Sequence, residues 1–197
     1  MRLAPTFFVL SLALTGANAL ADHHGKHGTK FAPVFTDEAY KFQPTVALMT
    51  GSLDQDFSGD EGSDTVSGIE LGINCPLLTT PSNRIRQRIS VSSYDNDTVE
   101  MSSFELNPHY MWSVADGLEV GVGPGFGYVQ AEQGNSDDST WGVQLGVSAE
   151  YRRDMLFAGA EVRYQTTGDV DLGGAEETDL ENVRVMFKIG VDFGASN

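Results

Sequence analysis

The sequence predicts an all-β fold: eight antiparallel strands in up-and-down order, closed into a barrel. Two observations carry that expectation. Apolar residues alternate with polar or very small ones through eight long segments, the period-two signature of strands with one apolar face. Beyond the N-terminal apolar run, no stretch carries an apolar stripe at helical spacing. Eight strands of this length, joined by short connections, can close on themselves.

The elements follow in chain order. Arg2 precedes the apolar run from Phe7 to Leu14, followed by Ala17-Asn18-Ala19 and Ala19-Leu20-Ala21. This is the order of a secretory signal peptide, too short in its apolar part to span a bilayer. Cleavage is expected after Ala21, with Ala19 as the alternative. Residues 22–39 are read as a flexible tail whose His23, His24 and His27 are solvated rather than organised around a metal. The barrel domain is placed at 40–194, with strands at 41–51, 66–75, 84–94, 99–112, 117–130, 140–151, 155–166 and 182–193. In the fifth, Leu118, Val120, Val122, Pro124, Phe126 and Tyr128 share one face, opposite Glu119 and four glycines. In the last, Val183, Val185, Phe187, Ile189, Val191 and Phe193 alternate with Arg184, Met186, Lys188, Gly190 and Asp192. Pro44, Pro108 and Pro124 fall inside strands, where each removes a ladder hydrogen bond and marks a bulge or bend. Gln87 interrupts the apolar face of the third strand.

Composition narrows the function. The 197 residues make one ordinary domain, and 12 Lys+Arg against 28 Asp+Glu give a net charge of −16, which opposes binding to nucleic-acid phosphate. Cys75 is the single cysteine, so neither an internal disulfide nor a cysteine zinc site is possible.

Alternation does not say which face is outside. A soluble lipocalin-like carrier turns its apolar face inward, a membrane barrel turns it toward lipid. Glycine, charge, aromatics and loops all favour the membrane. Gly68, Gly72, Gly121, Gly123, Gly125, Gly127, Gly142, Gly146, Gly159 and Gly190 lie on the polar face, where a narrow interior needs small neighbours for large charged groups. That face also carries Glu70, Glu105, Glu119, Glu150, Glu161 and Asp192 with Arg84, Arg86, Arg88, Arg163, Arg184 and Lys188, a near balance that an enclosed lumen requires. With the N-terminus inside, Tyr128, Trp141 and Tyr164 fall near the outer interface. Tyr40, Phe42, Tyr110, Trp112, Tyr151 and Phe193 then fall near the inner one, so two aromatic girdles are expected. The outer connections, about 52–65, 95–98, 131–139 and 167–181, hold sixteen acids and no base. The inner ones, about 76–83, 113–116 and 152–154, carry Asp116, Arg152, Arg153 and Asp154.

The signal peptide, eight alternating strands, charged lumen and aromatic-ended last strand resemble the small outer-membrane barrels of the OmpA transmembrane-domain, OmpX and Opa type, over residues 40–193. The resemblance implies residence in the outer membrane of a Gram-negative-type bacterium, a monomer among lipid and lipopolysaccharide, and insertion by the barrel-assembly machinery. That machinery recognises a terminal aromatic in such families; here Phe193 is followed by four further residues.

Catalytic chemistry is not expected. His109 is the single histidine within a strand, on the lumen side with Glu105 and Asn107, and is read as a structural histidine. Lipid A deacylases resemble this architecture and use a His/Ser pair near the lipid face, but no histidine follows His109. Asp54, Asp56 and Asp60 resemble the opening of a calcium loop, yet the bidentate-Glu position is Thr65. Weak, collective Ca²⁺ or Mg²⁺ association with these and the other outer carboxylates is expected, with a merely solvated charged rim as the alternative, and no other cofactor. Eight strands leave a lumen that their own side chains fill. The expected function is therefore envelope integrity or surface binding through the acidic loops. A small gated channel of the OmpW type and a soluble periplasmic carrier are the alternatives.

Overall fold

The computed structural model describes residues 28–57, 60–80, 84–95, 99–134, 136–170, 178–179 and 181–194, without the side chains of 55–64 and 169–180. The predicted signal peptide and the three tail histidines lie outside the described residues. Eight strands form the barrel: β1 Thr45–Phe57, β2 Asp60–Asn74, β3 Arg84–Asp95, β4 Glu100–Ala115, β5 Leu118–Gln133, β6 Ser136–Arg153, β7 Leu156–Thr167 and β8 Asn182–Asp192. Each pairs antiparallel with its chain neighbours, and β8 closes the ring on β1, from Asn182 opposite Gln55 to Asp192 opposite Thr45.

The strands run further outward than hydrophobic alternation marks. Residues expected in the first outer loop instead continue β1 and β2 as a hairpin, with Asp56 opposite Glu61 and Phe57 opposite Asp60. The expected loop 131–139 likewise belongs largely to β5 and β6, with Gln133 opposite Ser136. Backbone pairing continues into water after the apolar signal has stopped, because the ladder needs only N–H and C=O groups. At the other end, residues 41–44 precede β1 rather than opening it.

Alternation sorts the side chains cleanly. Leu48, Ile69, Val91, Phe126, Leu145, Val162, Phe187 and Ile189 are exposed on the outer wall. Glu70, Arg88, Glu105, Glu150, Glu161, Arg163, Arg184 and Lys188 are buried inside. This is the inverse of a carrier that wraps an apolar ligand. The glycines supply the room: a Cβ on Gly123 would lie 1.8 Å from the Pro108 carbonyl oxygen, and one on Gly146 would lie 2.9 Å from His109 Nε2.

Pro108 and Pro124 bend the expectation in a specific way. The β4–β5 pairing runs through Leu106 opposite Phe126, lapses over three residues on each strand, and resumes at Tyr110 opposite Val122 in the same register. The two prolines therefore face each other across the lapse, where neither has an N–H to give. No bulge forms there; the β4–β5 irregularity lies between Ser113 and Ala115. Gln87 stands beside Pro108 on the outer face, and its amide nitrogen reaches the Arg88 carbonyl at 3.4 Å.

Residues 30–39, expected as part of a flexible tail, are folded together with Tyr40 against the β2–β3 connection. Lys30–Phe31 pairs with Leu78–Thr79. The one-turn helix Pro33–Thr36 begins at Ala32, whose φ is 49°, and whose N–H donates to Leu77 O at 2.8 Å. Lys30 bridges Asp37 at 2.8 Å and holds its carboxyl below the usual carboxylate range. The Tyr40 hydroxyl donates to Asn74 O at 2.7 Å, and burial raises its ionisation point. Cys75 is a free thiol on the outward parity of β2, buried in this corner. These hydrogen bonds join residues more than thirty positions apart, so no local pattern in the sequence announces them.

A side chain at Gly123 tests the packing. Gly123→Val is expected to destabilise the barrel by about 2 kcal/mol or more, since overpacking a fixed wall forces backbone movement. The compact band of unheated protein in detergent electrophoresis should be lost or shifted to lower urea.

Candidate functional site: the filled lumen and its two ends

The lumen is organised in layers along the barrel axis. Its outer end is apolar: Met49, Leu53, Val66, Tyr94, Val99, Met101, Val129, Ala131 and Met186 form one buried cluster. The cap is hard to read in the sequence because its inward apolar residues stand among polar neighbours; only Leu53 and Ala131 lie beyond the expected strands. The available signal was parity, since Val129 and Ala131 lie opposite Tyr128 on the same strand.

Beneath the cap lies a polar layer. Ser92 and Ser103 share a hydrogen bond of 2.8 Å. The side-chain oxygens of Gln144 and Gln165 accept from Arg184 Nη2. A cavity of about 10 Å³ between cap and polar layer is lined by Val66, Tyr94, Met101, Gln165 and Arg184 among others, room for about one water.

The ionic layers follow. Glu105 accepts from Arg184 at 2.5 Å, from Arg163, and from Ser90 at 3.1 Å. Glu161 is the hub, lying 2.5 Å from Arg163, 2.9 Å from Lys188 and 3.3 Å from Arg88. Lys188 also holds both oxygens of Glu70 at 2.9 Å. Arg88 reaches Glu150 at 2.5 Å. Nearer the inner mouth, Arg152 bridges Glu119 at 3.1 Å, Asp192 at 2.9 Å and also Glu150, while Arg84 bridges Glu119. Every member of the expected network thus lies in the lumen. Arg152, expected in an inner turn, belongs there too, because β6 extends through Arg153 and residue 152 keeps the inward parity of Ser148 and Glu150.

Arg86 is held differently. It is 1% exposed, and its guanidinium donates to the Gln43 carbonyl at 2.9 Å, Asn74 Oδ1 at 3.1 Å and Thr45 Oγ1 at 2.9 Å. Gln43, with φ 45°, also accepts from Arg84 and donates to Asp192 at 3.0 Å. It therefore stitches β8 and β3 across the inner mouth.

Ser148, His109 and Glu161 meet inside this network. His109 Nδ1 lies 3.0 Å from Ser148 Oγ and 2.9 Å from Arg88, and Nε2 lies 3.7 Å from Glu161. Arginine cannot accept, so Nδ1 is an acceptor and the ring proton sits on Nε2. Arg88 also donates to Ser148 at 3.0 Å. The serine is thus pinned by a cation in a packed interior rather than poised against an open cleft.

The aromatics occupy both ends of the outer wall. At the outer end Trp141 lies 4.9 Å from Tyr128 and 5.4 Å from Phe126, and the Tyr164 hydroxyl donates to Glu181. At the inner end Tyr110 and Trp112 meet edge-on at 4.7 Å, with Phe42, Tyr151 and Phe193 exposed nearby in the strand order. Asp54 is exposed on β1; Asp56 and Asp60 have side chains outside the described residues. The backbone puts the three on two arms of a hairpin rather than on one loop. Among the described residues no three metal-binding side chains converge.

A closed eight-stranded barrel, apolar outside and ionic within, has the architecture of a transmembrane β-barrel. The fold is that of the small eight-stranded outer-membrane barrels. It is similar to the N-terminal barrel domain of Pseudomonas aeruginosa OprF, at 14% identity and TM-score 0.53, covering 78% of this chain and all of that one. Neisserial surface protein A matches at 14% identity and TM-score 0.55, over 77% of this chain and 96% of that one. Ail, the attachment invasion locus protein of Yersinia pestis, matches at 9% identity and TM-score 0.51, over 78% and 100%. No protein-family model and no curated protein matches the sequence.

Removing the hub carboxylate should leave Arg88, Arg163 and Lys188 in excess. Glu161→Gln is expected to cost about 3–5 kcal/mol, against less than about 0.5 kcal/mol for Glu100→Gln on the exposed rim. Urea midpoints in lipid vesicles measure both.

Proposed function

We propose that the chain is a non-enzymatic, monomeric protein of the outer membrane of a Gram-negative-type bacterium, exported by its signal peptide and inserted by the barrel-assembly machinery. Its role lies in envelope integrity and in binding at the acidic outer rim. The observation that carries this reading is the filled lumen: an apolar cap over layers of ion pairs leaves the outer wall and the rims as the surfaces turned to lipid and to solvent. On the outer rim, Asp54, Asp95, Glu100, Glu132, Asp137 and Glu181 are exposed. Such a surface beside lipopolysaccharide phosphate favours bridging Mg²⁺ or Ca²⁺, held collectively and weakly. Ail has been crystallised with the heparin analogue sucrose octasulfate; here the outer connections contain no base, so the rim suits cationic rather than polyanionic partners.

The second reading, a small gated channel of the OmpW type, draws on one observation, the lapse in the wall between Pro108 and Pro124. Planar-bilayer recording separates the two. The closed-barrel reading expects no steady conductance in the wild type; reproducible steady channels would favour the gated one. A companion measurement addresses the rim. Chelator is expected to lower the melting temperature in lipopolysaccharide-containing bilayers and leave it unchanged in phosphatidylcholine. Indifference in both would remove the cation bridge, and loop deletions with binding assays would then locate any partner.

A further inference from the structure

One apolar cluster belongs neither to the lumen nor to the strands of the wall. Phe31, Val34 and Phe35 of the N-terminal segment, Phe42 before β1, and Leu77 in the β2–β3 connection are 75, 40, 87, 51 and 69% exposed. Single exposed apolar residues are ordinary, but large side chains gathered on one short stretch mark a contact surface. The stretch is held in place by the Lys30–Phe31 ladder with Leu78–Thr79, by the Ala32–Leu77 and Tyr40–Asn74 hydrogen bonds, and by Asn74 N–H donating to Phe42 O at 2.9 Å. Pro33 is buried while Val34 and Phe35 face out, so the turn has a docked side and a free apolar side.

We propose that residues 30–42 and residues 75–80 of the β2–β3 connection form an interfacial foot that lies in the inner, periplasm-facing leaflet, with phospholipid acyl chains and headgroups as its occupant. The proposal rests on the reading of the barrel as a membrane protein. Continuity with the wall is the first argument. Phe42 is exposed four residues before Val46, where the lipid-facing side of β1 begins, and Phe193, also exposed, donates its N–H to Pro44 O at 2.9 Å. The foot thus extends the inner aromatic girdle rather than standing apart from it. Charge is the second. Lys30 and Lys41 balance Asp37 and Glu38, and residues 75–83 carry no charge. Anionic headgroups that the outer rim repels are therefore not repelled here. Aromatic and aliphatic side chains flanked by lysine are the composition of segments that lie at a headgroup boundary.

The test uses the full chain in phosphatidylcholine nanodiscs, with and without brominated acyl chains. One variant combines F35W with W112F and W141F; its control carries W112F alone and keeps Trp141 in the wall. The F35W tryptophan is expected to emit at shorter wavelength than in water. Brominated lipid should quench its emission to an extent comparable with that of Trp141, since both rings are placed at a headgroup boundary. L77W, read in the same double-phenylalanine background, gives the same result from the other side of the docking contact if F35W folds poorly. Quenching of Trp141 alone, with the F35W and L77W tryptophans open to aqueous iodide, overturns the foot and leaves the barrel reading standing; the patch would then face water or a protein. No quenching at Trp141 either would sink the membrane reading and the foot with it.

Discussion

A strand in hydrocarbon has no place to send its backbone N–H and C=O groups except to a strand on each side. The pairing of β8 with β1 meets that demand by removing both sheet edges at once. Closure at eight strands then fixes the interior, which is only wide enough for side chains. Every large ionic group inside must be matched by a small neighbour, which is why Gly72 faces the Arg86 guanidinium and Gly146 the Glu161 carboxylate. Charge must be matched as well, because an isolated ion in such a space costs several kcal/mol or more. Glu161 shows how tightly that works: one carboxylate serves two arginines and a lysine from three other strand positions.

Arg86 is the instructive exception. With carboxylates committed to other cations, it is solvated by three neutral oxygens, from Gln43, Thr45 and Asn74. Two of these come from the chain just entering the barrel and one from the end of β2. A cation without a carboxylate partner thereby becomes the fastening between the N-terminal segment and the inner mouth, and the left-handed backbone at Gln43 is the geometry that presents its carbonyl inward.

Much of this was readable from residue order. Strand number and facing followed from Val183 to Phe193 and from Leu118 to Tyr128, because a period of two either holds or fails over that length. The ionic lumen followed from glycines and charges sharing one parity. What escaped did so for physical reasons. The apolar cap involves Leu53, Val66 and Met101, which take the inward parity where the surrounding sequence is already polar, so hydrophobicity alone gives no face. Arg152 looked like a turn residue because its strand was stopped one position short. The docked segment at 30–40 depends on hydrogen bonds between Ala32, Leu77, Tyr40 and Asn74, partners tens of residues apart with no motif in common. The side chains of Asp56 and Asp60 lie outside the described residues, and the backbone places them with Asp54 on the two arms of a hairpin, a pairing that the spacing of the three acids does not reveal.

The paired prolines in β4 and β5 have a mechanical consequence. They fall at the middle of the chain's strand order, so the ring is two four-stranded halves joined by one fully bonded seam, β8 to β1, and one interrupted seam. Elastic load from a bilayer that thins or thickens around the protein concentrates at the interrupted seam. There fewer backbone bonds resist shear, while the ion pairs behind it keep the two halves in register.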